Sequence, residues 1–224
     1  MKLRKAIFLP LCCAVIASAG CSVLGRRQND SAALSMQNAA AEVQYESRSL
    51  ELTMGALRDL VSDPAPDLRR QYKHYNQCLA QLENAAHKTE STGKNMEAKN
   101  TVYLQTWDKH LATITYDHVR EISQTRRAEV GTRFDAVKQR YEETQAVVGP
   151  MISYLRDIRN ALNSDLTMEG LTSVKGVVQN AEQNAAKVQT ALTALSTELA
   201  NSGTRLASIG LQANAQANAQ SAPR

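Results

Sequence analysis

Aromatic side chains are scarce: the 224 residues contain one Trp, two Phe and seven Tyr, 4% of the chain. So few large rings exclude a broad globular core and leave thin apolar seams as the means of packing. Proline is nearly as rare, with five in all, so few places exist where a helix must stop. No apolar run is long enough to cross a bilayer, since the longest, Ala6 to Ala17, falls well short of the ~20 residues a spanning helix needs, and Pro10 interrupts it. Phosphate-cradling glycine loops, a dinucleotide fingerprint and a Gly-x-Ser-x-Gly elbow are all missing, which removes the common nucleotide-binding and hydrolase signatures.

Cysteine and charge are thin once the N-terminus is set apart. Lys2, Arg4 and Lys5 precede the apolar run, and Ser18-Ala19-Gly20 lead into Cys21. A positive segment, a short apolar segment and small residues before a cysteine read as a bacterial lipoprotein signal occupying residues 1–20. Cys21 is then the lipidation site, carrying palmitate-type acyl chains, and two or more chains on one residue hold a protein firmly to a bilayer. Ser22 follows it, and by analogy with enteric bacteria a residue other than Asp there directs the protein to the outer membrane, facing the periplasm. Without the three basic residues of the signal, 23 basic side chains face 22 acidic ones, so a nucleic-acid partner is not expected. Cys12 and Cys13 lie in the signal and Cys78 is left alone, so no internal disulfide is available.

What remains is helical periodicity. Residues 21–30 have no apolar period and read as the lipidated Cys and a flexible spacer. Met36, Ala40, Val43, Ser47, Leu50, Met54, Leu57 and Val61 then recur at steps of four and three, a heptad seam that ends at Ser62-Asp63-Pro64-Ala65-Pro66. Asp67 is placed to cap a second helix, whose seam runs from Leu68 through Tyr72, Tyr75 and Leu79 to Trp107, His110 and Ile114. Thr89, Gly93, Asn100 and His110 weaken it, and the β-branched Thr113-Ile114-Thr115 mark the next turn. A third seam starts at Val119 and Ile122, passes Phe134, Val137, Tyr141 and Val148, and keeps phase across Gly149-Pro150 to Leu162, so a kinked helix is expected there. The fourth, from Leu171 to Ile209, alternates three and four throughout. Residues 210–224 are low-complexity and read as a disordered tail. The expected fold is all-α: an elongated antiparallel bundle of about four long helices over residues 31–209.

Several of these features together resemble a family of bacterial lipoproteins known only as a domain of unknown function. They are Leu57-Arg58 with Leu60-Val61 before the break, the Tyr72/Tyr75 helix start, Trp107, Pro150, and Leu155-Arg156-Asp157 leading to Leu162-Asn163. The resemblance spans residues 35 to 209. It implies a helical fold and an envelope address, and it implies no activity and no catalytic residues.

Candidate chemistry is sparse. His74/Cys78 and Glu83/His87 each lie four apart, but a stable metal site needs three or four ligands and neither pair is repeated, so no metal or cofactor is expected. Asp117-His118 falls at a turn. Glu142 and Glu143 are adjacent and point apart on a helix. Tyr72, Tyr75, Tyr103 and Trp107 lie on a seam, where packing is the default, and Arg120, Arg126, Arg127 and Arg133 make a basic turn diluted by Glu121 and Glu129. The expectation is a non-catalytic envelope lipoprotein serving as a helical scaffold, spacer or interaction module. Its partners would be the bilayer through acylated Cys21 and an envelope protein or a second copy of itself. The alternative is a bundle that holds an apolar or envelope ligand where the Thr89–Asn100 seam weakens. A cavity above ~300 Å3 lined by Tyr103 and Trp107 would favour it.

Overall fold

The computed structural model describes residues 19–220, with side chains described over 30–207. Residues 1–18, within the expected signal, and 221–224, within the expected tail, lie outside the described residues, as does the side chain of Cys21. Four helices follow one another: α1 (Ala19–Ser62), α2 (Leu68–Leu111), α3 (Asp117–Ser164) and α4 (Met168–Gln220). Among the described residues there is no strand. Short turns force each helix antiparallel to the next. Each packs on two neighbours in cyclic order, with α1 against α4 the most extensive interface and α2 against α3 the thinnest.

Side chains close the helix ends. At Pro64 and Pro66 the backbone cannot continue α1, and the Gln71 amide of α2 takes over. Its Nε2 donates to the carbonyls of Asp59 (3.1 Å) and Asp63 (2.9 Å), and its Oε1 accepts from the Ala65 N–H (2.8 Å). Asp67 is the N-cap of α2, accepting from the Arg69 N–H at 3.1 Å. At the α2–α3 turn, the Arg120 guanidinium donates to the Ile114 carbonyl at 2.6 and 3.0 Å. Thr167 caps α4, its hydroxyl accepting from the Gly170 N–H at 3.1 Å. Only glycine fits at 170, because a Cβ there would lie 2.2 Å from the Asp165 carbonyl oxygen.

The seams form the core. Every α4 seam residue from Leu171 to Leu206 is buried, including Ala181, Ala185 and Ser202. On α1 the seam is buried apart from Ser47, which is half-buried. Helix α3 runs through Gly149-Pro150 as one element, with both residues on the exposed face where a missing N–H is tolerable.

The boundaries differ from expectation at both ends. Helix α1 already includes residues 21–30, and α4 continues past Gly210 to Gln220. Neither stretch contains a proline, and the Ala and Gln that dominate the tail are good helix formers, so nothing local stops the helix. Val119 and Ile122, expected on the third seam, are exposed, and burial on α3 begins at Val130. At that end α2 and α3 hold one another instead through the Trp107 Nε1–H donating to Ser123 Oγ (3.0 Å) and an Arg127–Asp108 pair.

Candidate functional site

Helix α1 buries more than its seam. Ala39, Glu46, Thr53 and Leu60, spaced seven apart, form a second stripe that is also closed to solvent. Three of the four are small or apolar. The fourth is a carboxylic acid with 0% exposure, whose two oxygens have no hydrogen-bond partner within the protein. Burial disfavours the charged form and pushes the Glu46 pKa up to about 7, with the neighbouring Thr89 hydroxyl pulling slightly the other way. The Thr89 hydroxyl is itself buried without a partner, as are the Tyr141 phenol oxygen and the Gln145 amide nitrogen. Tyr141 lies in the field of Glu46 and Glu42, and burial above all raises its pKa.

Tyr141 belongs also to a cavity of about 430 Å3 between α2 and α3, at the thinnest interface. Its floor is Met96, Leu104, Phe134 and the Tyr141 ring, and Gly93 admits that ring, since a Cβ there would meet it at 2.8 Å. Charged side chains form the mouth. Lys138 reaches from α3 to Glu97 of α2 at 2.6 Å, and Lys94 pairs with Glu90 at 2.5 Å. Asp135 and Glu142 complete the rim. The cavity therefore lies at the weak Thr89–Asn100 stretch of the second seam, and its volume exceeds the ~300 Å3 threshold for a ligand pocket.

Tyr103 and Trp107, whose lining of a cavity would have favoured the ligand-holding alternative, are not part of it and pack against the core, the default expected of seam residues. Their rings meet edge to face with centroids 5.7 Å apart, and Tyr103 meets Phe134 likewise at 6.0 Å. The other two seam tyrosines pin α2 to α3: Tyr75 donates to the Leu155 carbonyl at 2.8 Å and Tyr72 to the Arg159 carbonyl at 3.1 Å.

The remaining candidates separate. Cys78 Sγ lies 3.9 Å from both ring nitrogens of His74, and among the described residues no third ligand joins them or any other pair. Burial raises the Cys78 thiol pKa. Glu83 bridges to Arg156 at 2.7 Å and Arg159 at 3.8 Å. Asp117 and His118 open α3, with Asp117 paired to Arg120 at 3.0 Å. Glu143 pairs with Arg140, whereas Glu142 turns to the cavity mouth, as their adjacency implied. In the basic turn, Arg126 pairs with Glu129 and Arg127 grips Asp108 through two 2.8 Å bonds. Glu46 escaped the sequence reading because a charged residue beside a seam reads as a solvated flank. Its heptad register with Ala39, Thr53 and Leu60 was the available signal.

A four-helix antiparallel body closed by heptad seams, with one polar layer buried in it, defines the class: an all-α bundle. Within that class the chain belongs to the family described as protein of unknown function (DUF2959), which matches over residues 21–206. Comparison with curated proteins and with solved structures returned no match.

Proposed function

We propose that this chain is a bacterial envelope lipoprotein, anchored by acyl chains on Cys21 in the outer membrane and facing the periplasm, whose helical body serves as a non-catalytic scaffold or interaction module. The observation that carries this reading is the placement of the ends. Cys21 falls in the first turns of α1, while the Asp63–Asp67 and Asp165–Thr167 turns lie at the opposite end of the rod. With α2 44 residues long, that rod extends ~65 Å, a reach suited to meeting a partner away from the bilayer. Among the described residues no helix is long and apolar enough to cross a membrane. Metabolic labelling with a fatty-acid analogue tests it. Cys21→Ala abolishes the label and releases the protein from membranes, and unchanged membrane fractionation of the variant refutes the anchor. Crosslinking in intact envelope then identifies the partner protein or a second copy.

The 430 Å3 cavity favours a second reading, in which the bundle holds a small ligand between α2 and α3. The two are compatible, since one body can both reach and bind. Filling the cavity with Leu104→Trp separates them, because it removes ligand binding and leaves anchoring intact.

A further inference from the structure

The cavity between α2 and α3 has a sign as well as a volume. Six formal charges stand at its mouth: Glu90, Glu97, Asp135 and Glu142 against Lys94 and Lys138. Both lysines are already held by carboxylates, Lys94 by Glu90 and Lys138 by Glu97. The lining thus carries two more negative than positive charges over an apolar floor, with Asp135 and Glu142 both in the field of Lys138 and Asp135 also in that of Arg127, itself gripped by Asp108. That floor includes two aromatic rings, Phe134 and Tyr141, whose faces carry negative quadrupolar potential and attract cations. An anionic ligand meets repulsion at the mouth. A neutral apolar one gains the floor alone.

Resting on the ligand-holding reading, we propose that the cavity takes a small organic cation: an ammonium group on an apolar, preferably aromatic, body. The apolar body fills the space over Met96, Leu104 and Phe134, displacing water from it. The ammonium group sits at the rim, where Asp135 and Glu142 supply charge, above the Tyr141 and Phe134 rings of the floor. Lys138 and Glu97 close the mouth from opposite helices, so the entering ligand passes a pair that spans the α2–α3 interface.

Three probes of one shape and different charge test this by isothermal titration calorimetry on the full chain: 2-phenylethylammonium, 2-phenylethanol and 3-phenylpropanoate. The ammonium probe is expected to bind at least about tenfold more tightly than the alcohol, and the carboxylate more weakly than either. Neutralising the surplus with Asp135→Asn and Glu142→Gln together, both exposed positions, brings the ammonium probe to within about threefold of the alcohol. Leu104→Trp abolishes binding of both, and Leu104→Phe does the same more gently should the indole disturb the packing. Equal binding of ammonium and alcohol overturns the cationic assignment while leaving a ligand-holding cavity. Failure of all three probes overturns the ligand-holding reading itself. Binding that survives both Leu104 variants places the probe elsewhere and overturns the proposal.

Discussion

Replacing Glu46 with Gln keeps the shape of the buried layer and removes its ability to ionise. The folded carboxyl titrates near 7 and the unfolded one near the ordinary 4.5. Between those values the unfolded chain has released the proton and the folded chain keeps it, so raising the pH favours unfolding. At ~1.4 kcal/mol per pH unit the interval amounts to about 3 kcal/mol, fully present below pH 4.5 and lost by pH 8. Because Glu46 has 0% exposure, solvent screening offers little relief. The Gln variant lacks this loss, though its amide inherits the unpartnered setting. It is therefore expected to be more stable than the native chain by about 2–3 kcal/mol at pH 8 and to match it within ~1 kcal/mol at pH 5. In a chain of this size that is a gain of roughly 6 °C or more in midpoint at the higher pH. Thermal and urea unfolding followed by circular dichroism at 222 nm, for both proteins at half-unit steps from pH 5 to 8, reads the difference directly. Histidines and surface carboxylates titrate alike in both chains and cancel. A stability difference that does not vary with pH would refute the assignment of a buried, raised carboxyl.

Other positions give sharper local tests. Tyr75→Phe removes a buried hydroxyl that donates to the Leu155 carbonyl at 2.8 Å, and urea unfolding should register a loss of about 1 kcal/mol. Gly55 and Gly176 have open space where a Cβ would stand, so changing each to Ala should add up to ~1 kcal/mol of helix stability; Gly93→Ala should instead destabilise, because its Cβ would meet the Tyr141 ring at 2.8 Å. The Cys78 thiol, 5% exposed and with its pKa raised by burial, should react with a thiol reagent only as fast as the bundle opens. Rapid labelling of the native protein would contradict its placement.

Helix α4 was legible residue by residue because its apolar letters keep one period from Leu171 onward and nothing polar competes for the inner face. The prolines at 64 and 66 and the β-branched run at 113–115 announced their turns for equally local reasons. Val119 and Ile122 misled, since periodicity shows which face is apolar and not how far along the helix a neighbour covers it. The weak letters Gly93 and Asn100 coincide with the lining of the cavity between α2 and α3. Which side chains would line the gap was another matter: Tyr103 and Trp107 have a partner in each other and in Ser123, and that preference depends on contacts across two helices. Glu46 was hidden because composition rules assign charge to the surface, and its burial results from the second α1 stripe, closed by the packing of α2 and α4 on α1.

The first helix packs most extensively on the last. Gln44 donates to Ser196 across 152 residues of sequence, and the Ser196 hydroxyl lies over the Ala40 carbonyl. As the chain emerges N-terminus first, α1 can pair with α2 early, but its other flank has nothing to pack on until α4 arrives. Contacts this distant slow folding and leave apolar surface open meanwhile. The bundle is thus completed by its final segment, and a chain cut short before α4 would leave the α1 flank bare. Such a truncated product is a natural substrate for a chaperone or protease.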